Sequence, residues 1–307
     1  MRFAFVFAAL LTSTAFASHI ETVCKSSKQP VPGRSGYTYT NPPTFRGELL
    51  TRRLVDERGL NYVIERFNGE ELFHTPARLS GVIEFDGSIW ALAEYEILEL
   101  DADGVVRERH PIVFNPTDDE PRAYDFAVMN GLFVVARGTG GLTAFNPSTR
   151  KIQWHTEMPE VDGSKPVAVA FDGEFAQVVM TGTREGGFNG IVKVELNDGK
   201  VLTQTAYDNR RAGVISPDAK AKWFNNSLVL NNGGWIHVIT AKQLAAGKPM
   251  KPRWVAVEVG DDMHLHYMML EGEFYFEGNN LYGCGAYNER NGDQVTRLAR
   301  LFKVPMN

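Results

Sequence analysis

The feature that most constrains this chain is a unit that returns along it. Residues 130–159 read NGLFVVARGTGGLTAFNPSTRKIQWHTEMP: a turn, a strand of β-branched and aromatic residues, a Gly break, a second strand, an Asn-Pro-Ser-Thr turn and a third strand ending at Trp154. Degraded copies recur, each opened by a turn marker: Asp86-Gly87, Asn130-Gly131, Asp172-Gly173, Asn225-Asn226 and Glu271-Gly272, spaced 44, 42, 53 and 46 residues apart. A second marker is a hairpin after the third strand of a unit, at Asn68-Gly69, Asp103-Gly104 and Asp198-Gly199, dipeptides that suit tight turns needing positive φ. Units of this length are supersecondary blocks that bury their apolar faces by stacking on one another.

The rhythm is one of strands. No long helical period appears, and the best candidate, residues 241–247, reads as a loop. Short strands at regular spacing, with turns and without helices, predict an all-β array closed by radial repetition, which removes exposed sheet edges. The expected fold is a β-propeller of four-stranded antiparallel sheets. Five units are clear and a first, opening between residues 44 and 60, is poorly matched, so six blades are expected, with five as the alternative.

The expected domains are a secretory signal over residues 1–17, an extended Pro- and Gly-rich segment over 18–43 and the propeller over 44–307. Met1-Arg2, an apolar run to Leu11 and Ala15-Phe16-Ala17 have the grammar of a cleaved signal, and no segment approaches the ~20 apolar residues of a membrane span. The chain is therefore expected to be exported, to a periplasm or the extracellular space. Loss of Arg2 leaves 31 Lys and Arg against 37 Asp and Glu, an acidic balance without the basic footprint of a nucleic-acid binder. The two cysteines, Cys24 and Cys284, are expected to pair in an oxidising compartment, with two unrelated buried thiols as the alternative.

The unit from Asn130 to Trp154, with Asn-Gly, Gly140-Gly141-Leu142, Ala144-Phe145-Asn146, Thr149 and the terminal Trp, resembles the repeat of quinoprotein-like β-propellers. The resemblance covers one unit by motif and most of the chain by rhythm. It implies that Trp154, and less directly Trp254, docks between neighbouring blades; Phe73, Arg109 and Thr205 stand near that place elsewhere. The chain lacks the adjacent Cys pair of quinone-dependent alcohol dehydrogenases, so no quinone and no other cofactor is expected.

In a propeller the innermost strands line a central channel, and their upper residues meet at one mouth. Counting five and seven residues back from the turn markers brings Asp125, Lys165, Asp218, Lys220, His264 and His266 to that mouth from four blades. These side chains form the candidate ligand-binding site. They suit an acid–base pocket for an anionic or sugar-like ligand, or they serve as polar lining wetted by water. His264 and His266, two apart on a strand, face the same way, but a single His-X-His does not establish a metal, and none is assigned. His74, His110 and His155 fall at matched places in successive units and read as blade-edge hydrogen-bonding residues. No catalytic residue is assigned. The expected function is non-enzymatic binding of a protein, peptide or glycan; the alternative is a hydrolase or lyase acting on a small lactone, ester or sugar-derived substrate.

Overall fold

The computed structural model describes residues 44–45, 48–54, 62–66, 71–75, 79–101, 105–112, 123–158, 164–182, 187–208, 214–232, 235–248, 253–255, 269–291 and 294–306. The signal and lead-in expected over residues 1–43, including Cys24, and the pair His264 and His266 lie outside them.

Four consecutive strands pair antiparallel in each of five sheets. The first holds β1 (Thr44–Phe45), β2 (Glu48–Leu54), β3 (Tyr62–Arg66) and β4 (Glu71–Thr75). The second holds β5 (Leu79–Phe85), β6 (Ser88–Ala93), β7 (Glu96–Leu100) and β8 (Val106–Pro111). The third holds β9 (Asp125–Met129), β10 (Leu132–Ala136), β11 (Leu142–Asn146) and β12 (Lys151–Thr156). The fourth holds β13 (Lys165–Phe171), β14 (Ala176–Thr181), β15 (Gly190–Val194) and β16 (Val201–Ala206). The fifth holds β17 (Lys220–Phe224), β18 (Ser227–Asn232), β19 (Trp235–Thr240) and β20 (Arg253–Val255). A last sheet of three strands, β21 (Met269–Glu277), β22 (Asn280–Asn291) and β23 (Gln294–Pro305), sits between the fifth blade and the first, with β21 near both β17 and β1.

The expectation of six four-stranded blades is thus corrected: among the described residues five sheets have four strands, which is the alternative count. The last unit breaks the pattern because β22 and β23 are 12 residues each and pair continuously from Asn280↔Pro305 to Asn291↔Gln294. Residues that elsewhere turn back into a further short strand here extend one long ribbon. The marker Glu271-Gly272 is no turn either. It lies inside β21, where the pairing shifts between Leu270 and Phe274, and the turn falls at Gly278-Asn279. Gly in a strand often marks such an irregularity.

The other turn markers form for a local reason. Asp86-Gly87, Asn130-Gly131 and Asn225-Asn226 each place two successive residues at φ between 45° and 78°, the conformation of a two-residue hairpin turn. Asp172 closes its turn through its side chain, Oδ1 accepting from the amides of Glu174 and Phe175. Residues 241–245, expected as loop, form a short helix α1 (Ala241–Ala245), started by a reciprocal capping box between Thr240 and Gln243.

Burial follows position within the blade. The second strands β10, β14 and β18 are buried at every residue, because both faces of their sheets are covered by neighbouring blades. The outermost strands β8 and β16 are mainly exposed. The cores are accordingly interblade layers. Val134, Ala144, Trp154, Val178 and Val192 join the third blade to the fourth, and Trp90, Ile97, Phe126, Phe133 and Phe145 join the second to the third.

Trp154 shows how one blade docks on the next. Its indole Nε1 donates to the Leu196 carbonyl at 2.6 Å, and Thr156 Oγ1 donates to the Gly199 carbonyl at 2.8 Å, so both reach the β15–β16 hairpin. Trp254 lies in β20 opposite His237, and Cys284 lies in β22 opposite Leu301.

Candidate functional site

The inner strands β9, β13 and β17 begin with Asp125, Lys165 and Lys220, so their first residues stand at one end of the channel. Asp125 and Lys220 meet there. Lys220 Nζ lies 2.9 Å from Asp125 Oδ1 and also donates to the carbonyls of Tyr124 at 2.8 Å and Ser80 at 3.4 Å. The other carboxylate oxygen, Oδ2, accepts from the Val169 amide of β13 at 3.1 Å. Ser80 Oγ donates to the Ala123 carbonyl at 2.8 Å. One ammonium therefore ties the fifth blade to the third and second, and one carboxylate ties the third to the fourth.

This pair is interior rather than a wet rim: Lys220 is 1% exposed and Asp125 5%. An ammonium has three donors, and here it has three oxygen partners. Burying both charges is costly, and mutual pairing with satisfaction of the remaining valences offsets that cost. A group held so completely is a poor general acid or base, since moving its proton would leave an uncompensated charge among apolar walls.

Lys165 reaches Tyr124: its Nζ donates to the hydroxyl at 3.1 Å and stands 5.3 Å from that ring's centroid. Asp218 is exposed in the turn before β17, where its amide donates to Ser216 Oγ at 3.2 Å. Along the channel from the pair, a cavity of about 140 Å³ is lined by Asp125, Phe126, Val169, Phe171, Ala221 and Trp223 among others.

Counting back from the turns places Asp125 and Lys220 together because β9 and β17 pair with their neighbours without a register break. Shifts between Leu79 and Gly81 and between Pro166 and Ala168 upset the same count in β5 and β13. At Gly81 an added Cβ would stand 2.6 Å from the Phe126 ring, so the inner strands there approach closely. Ser80 and Tyr124 escaped the sequence reading because they contribute backbone carbonyls, for which a side-chain pattern carries no signal.

This geometry defines the protein as a β-propeller whose channel mouth is bridged by a buried polar clasp. No protein family and no curated protein matches the chain by sequence. By structure it is similar to the WD40 domain of coronin from Toxoplasma gondii, at 9% identity and a TM-score of 0.53, over 88% of this chain and 72% of that one. Looser likenesses are to the extracellular domain of a B. thetaiotaomicron protein described as a one component system (12% identity, TM-score 0.45, 69% of this chain and 26% of that one) and to the computationally designed Ika8 protein (9%, 0.43, 88% and 98%). The coronin likeness establishes the fold alone, a β-propeller. Among the described residues no helix is long and apolar enough to cross a membrane.

Proposed function

We propose that the chain is an exported, non-enzymatic β-propeller that binds a protein, peptide or glycan ligand on the end of the propeller where the inner strands begin. The observation that carries this reading is the saturation of the channel mouth: Asp125 and Lys220 spend their hydrogen-bonding capacity on each other and on the backbone of three other strands and loops. A hydrolase or lyase would need an acid–base group open to substrate, and neither residue offers one.

Exposed side chains at the same end support this reading. Tyr95, in the β6–β7 turn, is 50% exposed; Trp235, at the start of β19, is 42%; and Val214, leading into β17, is 43%. Rigid aromatics supply contact area at low entropy cost, for peptides and sugar rings alike.

The test is a glycan array and a displayed peptide library screened with the full chain, a Tyr95→Ala/Trp235→Ala variant and a Lys220→Met/Asp125→Asn variant of matched circular dichroism. Ligands should bind the parent and the channel variant, and bind the aromatic variant about tenfold or more weakly. Binding that depends on the channel pair and ignores the aromatics overturns the reading, as does turnover of a lactone or ester by the parent.

A further inference from the structure

On the second blade, away from the channel, the strands β7 and β8 set two carboxylates directly opposite each other, Glu99 against Glu108. Like charges in that position repel and call for a cation. The third blade supplies one. Arg150, in the β11–β12 turn and itself at a φ of 54°, donates from Nε to Glu99 Oε2 at 3.0 Å and from its terminal nitrogen to Oε1 at 3.1 Å, and its Nε lies 3.0 Å from Glu108 Oε2. Two carboxylates against one guanidinium leave a formal charge of −1 at this junction.

His110 completes the cluster. It follows Glu108 by two residues and so faces the same side of β8. Its counterpart in the third blade, His155, stands opposite Thr143 and shares a 3.1 Å hydrogen bond between Nδ1 and the threonine Oγ1. His110 stands opposite Ile97, which offers nothing. Its Nε2 is buried without a hydrogen-bond partner, in a residue only 7% exposed, and points toward Glu108 Oε2 at 3.9 Å. A buried ring nitrogen with a free lone pair or proton is costly to maintain unless something takes it.

One atom from each of Glu99, Glu108 and His110 falls within 4.8 Å of the others. Ligand atoms around a four-coordinate cation at about 2.0–2.2 Å lie about 3.3–3.6 Å apart, so the cluster must contract by a little over an ångström. Glu108, half exposed, can supply that movement. Glu99 and Arg150 also line a cavity of about 200 Å³ with Ser88, Trp90 and Ser148, where a released guanidinium or a fourth, water ligand has room.

We propose that Glu99, Glu108 and His110 form a binding site for a divalent transition cation of the zinc class, with Arg150 bridging the two carboxylates when the cation is absent. One imidazole nitrogen and two carboxylate oxygens are a donor set for zinc, cobalt or copper rather than for calcium or magnesium, which take oxygen alone. Cation and guanidinium compete for the same oxygens. That competition separates the proposal from a simple interblade ion pair, because loss of Arg150 should then favour the metal.

The test is a calorimetric titration of the chelator-stripped full chain with zinc chloride, repeated with cobalt chloride while tryptophan fluorescence is followed. The Trp90 ring lies 5.7 Å from that of His110, so bound cobalt should quench it. One zinc per chain is expected. Binding should weaken about tenfold or more in His110→Phe, and in Glu108→Gln, an exposed change that keeps the proposal testable if the buried one fails to fold. It should tighten several-fold in Arg150→Gln. No zinc uptake by the parent, uptake indifferent to both His110 and Glu108, or weaker uptake in Arg150→Gln overturns the proposal.

Discussion

Removing Lys220 from the channel clasp should be among the most damaging single changes in this protein. Lys220→Met keeps an unbranched chain of similar length but takes the ammonium from a carboxylate, Asp125, that is 5% exposed and still accepts from the Val169 amide. It also strips a donor from the Tyr124 carbonyl. Breaking one side of a buried ion pair costs about 3–5 kcal/mol, mostly the penalty of the charge left behind. At about 2.1 cal/mol/K of unfolding entropy per residue, 1 kcal/mol moves the thermal midpoint of a chain of about 300 residues by about 1.6 °C, so a fall of about 5–8 °C is expected. The second change separates charge from packing. Asp125→Asn keeps an acceptor for Val169 and removes the stranded charge, so Lys220→Met/Asp125→Asn should be about 1–2 kcal/mol more stable than Lys220→Met alone. Urea denaturation followed by tryptophan fluorescence measures both. A Lys220→Met cost below about 1 kcal/mol, or a double variant no more stable than the single one, would refute the view that charge burial governs the clasp.

Two further outcomes rest on separate parts of the fold. Gly199 has a φ of 74° and an added Cβ would stand 2.6 Å from Trp154 Cε3, so Gly199→Ala should cost about 2 kcal/mol or more and shift the Trp154 emission; an unchanged urea midpoint would mean that the hairpin is not pressed against that ring. His237, buried beside the Tyr207 hydroxyl with which its Nδ1 shares a hydrogen bond, has its pKa pushed down to about 4 by burial. The unfolded chain therefore takes up the proton first: its contribution to stability is complete above about 6.5 and falls away as the pH drops toward about 4, by up to about 3 kcal/mol. His237→Gln should flatten the urea midpoint between pH 7 and pH 4.5, and a slope equal to the parent's would refute the assignment.

The sequence by itself determined the strands, most of the turns and the radial stacking, because these depend on residues close in the chain. Asp86-Gly87 and Asn130-Gly131 turn wherever they stand between apolar runs, and the return of such turns at intervals of 42–53 residues announces stacked sheets. It also brought Asp125 and Lys220 to one end of the channel, since β9 and β17 keep their register. Only the tertiary structure decided the rest. Glu271-Gly272 looks like a turn until the pairing of β21 with β22 shows a shift in register there, and the same pairing, continued along β22 and β23, leaves the last sheet with three strands. That Lys220 is sealed inside, holding carbonyls of Tyr124 and Ser80, depends on backbone atoms 96 and 140 positions away. His110 and His155 look equivalent in the sequence, and what distinguishes them is the residue across the strand, Ile97 or Thr143, a neighbour that exists only once the sheet has formed.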